Sequence, residues 1–116
     1  MKSINDFESI VIHKVPVDFR KSINGLSIIV AENYKLDLKS DTLFVFTNKR
    51  RTHLKILYFD RSGFALWLKR LEGTKFSWPK KIEQDIINIK AEDLELLLDG
   101  VNVWTRFKTV DFEHII

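Results

Sequence analysis

Two apolar runs separated by a short cationic turn constrain the fold of this chain more than any other feature. The runs are residues 43–46 and 54–59, and the turn is residues 48–52. Aromatic and aliphatic side chains fill both runs, and a polar turn of this length between them is typical of a β-hairpin. We therefore predict a hairpin at the centre of the molecule, with three adjacent cations at its tip, Lys49, Arg50 and Arg51.

Further elements are predicted on both sides of the hairpin. A β-branched run in residues 8–15 favours a first strand, and residues 86–89 favour a last one. Apolar residues at three- and four-residue spacing predict a helix that Asp18 caps and that ends near Asn33, with Gly25 inside it as a point of close packing. The same spacing predicts helices at 63–72, capped by Asp60 or Ser62 and ended by Gly73, and at 91–99.

These elements predict an α+β fold, with an antiparallel, hairpin-centred sheet packed against two or three helices. The 116 residues fit one domain, residues 1–116, with a core over about residues 10–107. The absence of cysteine excludes disulfides and thiolate metal sites. No apolar run reaches the roughly 18 residues of a membrane span, and the N-terminus lacks the pattern of a signal peptide, so we expect a cytoplasmic protein without membrane contact.

Charge is distributed unevenly along the chain. Residues 49–81 contain ten Lys or Arg and two acidic side chains, a net charge of +8, whereas residues 82–116 have a net charge of −5 and the whole chain +3. An oriented basic surface attracts anionic partners. The acidic segment can also neutralise the basic one internally, and the sequence leaves both alternatives open.

Nucleic acid is the anionic partner that these cations fit best. Lys49, Arg50 and Arg51 on an exposed turn can neutralise phosphates at little desolvation cost. The predicted contact set is completed by cations on the neighbouring elements: Arg20, Lys21, Lys55, Arg61, Lys69 and Arg70. A merely solvated basic surface is the alternative. Four aromatic residues of the same segment can stack on bases or pack in the core, and helical spacing favours the core for the first two: Phe64, Trp67, Phe76 and Trp78.

Catalytic signals are weak by comparison. The three histidines (His13, His53 and His114) have no metal-type spacing, and the first two fall in predicted strands, where a hydrogen-bonded structural role fits better. Nucleophile-elbow and phosphate-loop glycine motifs are absent. We assign no catalytic, cofactor or metal residue and expect a protein without enzymatic activity.

Motifs in residues 16–26 and 43–79 give the chain a specific resemblance. The first is P-x-D-x-R-K-x-x-x-G-L, which begins at Pro16. L-F-x-F-x-N-[RK]-R begins at Leu43 and L-K-x-L-Y-x-D-x-x-G-F at Leu54. The pattern W-x-K-R-L-E-x-G-x-F-x-W-P is matched from Trp67 except at its glycine, where this chain has Thr74. The chain resembles the TnpB-type accessory proteins of bacterial insertion-sequence family sixty-six, which are distinct from the RNA-guided nuclease of the same name. That family often has glycine in the hairpin turn, where this chain has Arg51 and Thr52.

The resemblance covers about residues 10–107 and implies a small protein that supports DNA transposition beside a separate, larger transposase. The leading hypothesis is an accessory factor whose basic face contacts DNA, the transposase or both. One alternative is an adaptor that binds only protein, through an acidic surface of the transposase. The other is a metal-dependent nuclease built on some of the 16 acidic side chains.

Overall fold

A five-stranded mixed sheet forms the middle of the molecule, and one helix covers each of its faces. The computed structural model describes residues 3–34, 41–80 and 82–104. After a 3₁₀ turn at Ile4–Asp6, the elements in chain order are β1 (Ser9–His13), α1 (Ile23–Asn33), β2 (Thr42–Thr47), β3 (His53–Asp60), β4 (Gly63–Arg70), β5 (Ile86–Ile89) and α2 (Ala91–Leu98).

The strand order is β4-β3-β2-β1-β5. β2, β3 and β4 pair in antiparallel fashion, β5 is antiparallel to β1, and β1 and β2 are parallel. The α+β class and the hairpin-centred sheet are confirmed, and α1 serves as the crossover that a parallel pair requires. Because β1 and β2 run in the same direction, their carboxyl ends lie at the same edge of the sheet.

Alternation along the strands divides the core into two clusters, one on each face. The cluster beneath α1 includes Val11, Leu26, Val30, Phe44, Phe46 and Leu57. The cluster beneath α2 includes Ile12, Val45, Leu54, Ile56, Leu94 and Leu97. The central strand β2 is therefore buried along its whole length, as its continuous apolar run indicates.

The helix predicted at 63–72 is wrong, because this segment is strand β4. Its register with β3 runs from His53 opposite Arg70 to Asp60 opposite Gly63. The proposed caps form a tight turn instead, in which Ser62 N donates to Asp60 O over 2.6 Å. Pairing with β3 along eight residues stabilises the strand more than local propensity stabilises the helix that the apolar spacing predicts.

The helix predicted from Asp18 begins later, at Ile23. The Asp18 carboxylate accepts hydrogen bonds from Arg20 instead of capping a helix, so residues 18–21 form a turn. Gly25 lies where this turn folds back over the helix, and a Cβ there would be 2.9 Å from the Cβ of Lys21. The close packing predicted at Gly25 is therefore present.

Strand β5 and helix α2 match the sequence prediction closely. Glu92 and Asp93 occupy the first turn of α2, and its three buried leucines face the core. Gly100 follows with φ +84°, a left-handed conformation that ends the helix. The predicted core limit at residue 107 and the tail beyond it lie outside the described residues.

Candidate nucleic-acid interface

Two loops meet at the edge of the sheet where the parallel strands β1 and β2 end. The first is the β1–α1 loop, residues 14–22, and the second is the hairpin tip, residues 48–52. Val17 N donates to Thr47 O over 2.9 Å, which fixes the first loop to the end of β2. The direction of the strands thus brings together two segments that are about 30 residues apart in the chain.

Hydrogen bonds that Asn48 accepts build the hairpin tip. Its Oδ1 accepts from the backbone N–H groups of Thr52 at 2.9 Å and His53 at 3.1 Å, and Arg51 N donates to Asn48 O at 3.0 Å. Arg51 has φ +59°, a conformation that glycine usually adopts. The closed turn presents Lys49 and Arg50 to solvent at its apex.

Arg20 lies opposite the tip on the β1–α1 loop. Its Nε and Nη2 donate to the Asp18 carboxylate, the Nη2–Oδ2 distance being 2.6 Å, and its side chain is 92% exposed. These hydrogen bonds lower the pKa of Asp18 to about 2. The pair is therefore intact above about pH 4 and breaks as the pH falls toward 2, which fixes the guanidinium plane under physiological conditions.

A cleft of about 880 Å³ separates the two loops, and we call it the basic cleft. Its wall is apolar at Pro16, Val17 and Phe19, and three cations surround it. The complete lining is Pro16, Val17, Asp18, Phe19, Arg20, Asn48, Lys49 and Arg50. The sequence indicated that Arg20 belongs with the tip cations, and the structure brings the three together.

Lys55 has a different position from the one predicted. It is only 9% exposed, and its Nζ donates to Phe19 O at 2.9 Å and Lys21 O at 2.7 Å. The same Nζ lies 4.8 Å from the centre of the Phe19 ring. Burial lowers the pKa of Lys55, and the negative charge of Asp18 partly opposes this effect. Lys55 therefore supports the β1–α1 loop from beneath and does not extend an exposed basic face.

Lys69 and Arg70 point to opposite faces of β4. Lys69 Nζ donates to Leu98 O at 2.9 Å, where a cation stabilises the C-terminal end of α2. The placement of Lys69 on the basic face is therefore corrected. Arg70 is opposite His53 beside the tip and pairs with Glu72 through a 2.5 Å contact.

The remaining predicted cations differ in their distance from the basic cleft. Arg51 and Lys21 are neighbours of lining residues in the chain. The side chain of Arg51 is half-buried, and that of Lys21 is exposed. Arg61 lies in the β3–β4 turn, at the other end of β3, which at about 3.3 Å per residue is about 23 Å away. The structure therefore does not bring Arg61 to the basic cleft.

The acidic residues of α2 lie on the other side of the sheet. Glu92 and Glu95 are exposed on α2, whose buried leucines pack against the face opposite α1. No residue of 82–104 lines the basic cleft, although Asp85 lies 3.8 Å from Lys14 at the start of the β1–α1 loop. Asp111 and Glu113, which belong to the same acidic block, lie outside the described residues.

Both described histidines have structural roles, as predicted. His13 Nδ1 is 3.1 Å from the Tyr34 hydroxyl, and burial lowers the pKa of His13 against a smaller raising effect of Asp85. His53 Nδ1 is 2.7 Å from Thr52 Oγ1. Across residues 3–34, 41–80 and 82–104, no three His, Asp or Glu side chains form a group able to hold a metal ion. His114 lies outside these ranges.

The aromatic residues also separate into two roles. Phe76 and Trp78 are core residues, and Trp78 Nε1 donates to Lys14 O over 2.8 Å. Phe64 and Trp67 are half-buried against the two core clusters. Sequence reasoning missed Phe19, the aromatic residue of the cleft wall, because the helical spacing placed it on the apolar stripe of α1. The sequence signal that could have placed Phe19 in the cleft is its position between Asp18 and Arg20, which also line it.

Within the described part of the chain, no helix has both the length and the apolar character of a membrane span. The fold and the cleft define a small α+β protein with a basic cleft at one edge of a mixed sheet. The chain belongs to the family described as IS66 Orf2 like protein, whose model matches residues 8–108. The predicted resemblance is thereby confirmed, and the chain is a transposition-associated accessory protein of the insertion-sequence family sixty-six type.

Two relatives come from Sinorhizobium fredii (strain NBRC 101917 / NGR234). The chain is 36% identical over 99 residues to "Uncharacterized protein y4jC", and the aligned region covers 85% of this chain and 83% of that protein. It is 34% identical over 85 residues to "Uncharacterized protein y4hO", with 73% of each chain covered. No solved structure matches the chain significantly.

Proposed function

We propose that this protein is a non-enzymatic accessory factor of transposition that contacts DNA through the basic cleft. The main supporting observation is that Arg20, 28 residues before the tip, lies with Lys49 and Arg50 around one cleft. Cations on two separate loops form a phosphate-binding surface that one turn alone cannot provide. A cytoplasmic location, expected from the sequence, is part of the same proposal.

Electrostatics supports this role for the exposed cations and separates them from the structural ones. Lys55 and Lys69 use their ammonium groups on backbone carbonyls, so they are not available to phosphates. Lys49 and Arg50 are exposed at the apex of a turn that Asn48 holds rigid. A turn backbone that is already fixed places these cations at no cost in loop entropy when they bind phosphates.

The decisive experiment compares two double variants with the same change of charge. Lys49→Gln/Arg50→Gln removes two cleft cations, and Arg61→Gln/Lys90→Gln removes two exposed cations elsewhere. In duplex binding measured against salt, we expect the first variant to reduce the salt slope by about 2 and to weaken binding at least about tenfold at 0.1 M salt. The control should retain the wild-type slope.

Absence of salt-sensitive association between wild-type protein and duplex DNA would overturn the proposal of direct contact. In that case the adaptor alternative predicts that the same two cleft cations are required for co-purification with the transposase from nuclease-treated lysate. Equal losses in both double variants would show a general effect of net charge and would also contradict a role for the cleft.

A further inference from the structure

The basic cleft is amphipathic, and a duplex phosphate backbone does not require its apolar wall. Pro16, Val17 and Phe19 form one side, while Arg20, Lys49 and Arg50 surround the opening. The phosphates and sugars of a duplex are polar, and the bases are stacked inside the helix. An unpaired nucleotide differs because it joins an accessible aromatic face to an anionic phosphate.

The position and size of the cleft suit such a ligand. It lies outside the carboxyl ends of the parallel strands β1 and β2, where open sheets commonly form ligand crevices. Its volume of about 880 Å³ is within the range of about 300–1,000 Å³ that small-molecule pockets occupy. A nucleotide with its flanking phosphates therefore has enough room.

The aromatic wall is held in place before any ligand binds. Lys55 Nζ lies 4.8 Å from the centre of the Phe19 ring and binds its carbonyl, and His53 packs against the ring in a T-shaped contact at 6.2 Å. The loop backbone is fixed by the hydrogen bond from Val17 N to Thr47 O. A fixed wall lowers the entropy lost when a base stacks on it.

The acidic and amide side chains of the lining are already used within the protein. Both oxygens of Asp18 accept from Arg20, and the amide of Asn48 binds Thr52 and His53. Recognition of base edges needs side-chain donors and acceptors that are not committed elsewhere. When the cations of the cleft contact phosphates, stacking and phosphate contact, which tolerate any base, are the interactions that the cleft offers.

We propose that the basic cleft binds an unpaired nucleotide of DNA, such as one in a single-stranded overhang, without preference for the base. The base packs against Phe19 and Pro16, and the adjoining phosphates contact Arg20, Lys49 and Arg50. This inference rests on the proposed contact with DNA and specifies which form of DNA the cleft prefers.

Three fluorescent probes test it: a blunt duplex, the same duplex with a short single-stranded overhang, and that overhang with abasic sites, which keep the phosphates and remove the bases. We expect the overhang to bind roughly tenfold or more tightly than the blunt duplex, because stacking on an aromatic side chain strengthens binding of each base substantially. The abasic overhang should lose most of this gain. Overhangs of different base composition should bind alike.

Two substitutions of Phe19 test whether the aromatic wall of the cleft causes the preference for the overhang. Phe19→Leu keeps an apolar side chain and removes the aromatic face, so we expect the ratio of overhang affinity to blunt-duplex affinity to fall toward one. Phe19→Tyr keeps the face and should retain the preference. If wild-type protein binds blunt, overhang and abasic probes equally, or if Phe19→Leu keeps the preference, the inference is wrong although salt-sensitive duplex binding still supports the proposed function. If no probe binds in a salt-sensitive way, the proposed function fails first.

Discussion

At the scale of single residues, two arginines adopt a backbone conformation that most side chains avoid. Among the described residues, Arg51 with φ +59° and Arg61 with φ +56° are the non-glycine residues with positive φ. A left-handed conformation costs an ordinary residue about 1–2 kcal/mol relative to its preferred one. Glycine would adopt the same conformation without this cost, so Arg51 combines a strained backbone with a cation beside the basic cleft.

Replacement of Arg51 by glycine separates strain from charge. Arg51→Gly relieves the strain but gives the unfolded chain about 0.5–1 kcal/mol more conformational entropy, so we expect the free energy of unfolding to rise by up to about 1 kcal/mol. We also expect weaker DNA binding and a salt slope lower by about 1. Chemical denaturation and binding titrations at several salt concentrations measure the two effects.

Arg61→Gly is the matched control, because it changes the same charge and relieves the same strain about 23 Å from the tip. It should stabilise the protein and leave the affinity for DNA unchanged. A loss of affinity in Arg61→Gly equal to that in Arg51→Gly would contradict the assignment of binding to the basic cleft.

At the scale of elements, Lys55 links strand β3 to the β1–α1 loop. Its buried ammonium group binds two loop carbonyls, while Phe19 and Arg20 of that loop line the cleft. The geometry of the cleft thus depends on a strand residue that does not line it. An effect of Lys55 on DNA binding should therefore act through the loop.

Substitution of Lys55 by methionine keeps the apolar stem and removes the two hydrogen bonds. We expect Lys55→Met to lower the free energy of unfolding by about 1–3 kcal/mol, since two carbonyls lose a charged donor. Preference for an overhang should fall while the salt slope for a blunt duplex stays the same. A decrease of about 1 in that slope would instead show that Lys55 contacts phosphate directly.

Lys69→Met provides the comparison. It removes an ammonium group from Leu98 O on the opposite face of the sheet, so it should reduce stability and leave every DNA measurement unchanged. If both variants lower the overhang preference equally, a general loss of stability explains the result better than displacement of the loop.

The sequence predicts those elements whose signals are local. Strands β2 and β3 follow from apolar runs on either side of a polar turn, and α2 follows from its leucine spacing and Gly100. Strand β4 is different, because Phe64, Trp67, Leu68 and Leu71 fit a helical stripe and only pairing with β3 decides between the two structures. Local patterns do not contain that tertiary information.

The candidate site was predictable in part for the same reason. The chain shows which residues are cationic, and the three adjacent cations of the tip are a local signal. The presence of Arg20 across from them depends on the parallel pairing of β1 with β2, which an antiparallel interpretation of the sheet does not provide. The burial of Lys55 and Lys69 depends on which loop or helix end packs above each strand position, so charge counting cannot distinguish them from Lys49.

At the scale of the whole molecule, the sheet separates charges of opposite sign. The basic cleft lies at the edge shared by the α1 loop and the hairpin tip, and the exposed acids of α2 lie on the opposite face. Two layer spacings of about 10 Å each separate α2 from the α1 side of the sheet, whereas the Debye length is about 8 Å at 0.15 M salt and about 30 Å at 0.01 M. The acids of α2 therefore influence DNA at the cleft only when the salt concentration is low.

This separation gives a salt-dependent prediction for Glu92→Gln/Glu95→Gln. Both side chains are exposed, so the variant should fold normally and bind DNA with an affinity within about twofold of wild type at 0.15 M salt. At 0.01 M salt its association rate should exceed the wild-type rate several-fold, because a long-range repulsion has been removed. Stopped-flow fluorescence at the two salt concentrations measures both quantities. A large gain in affinity that persists at 0.15 M salt would mean that these acids approach the cleft closely, and it would favour internal neutralisation of the basic segment over an open binding surface.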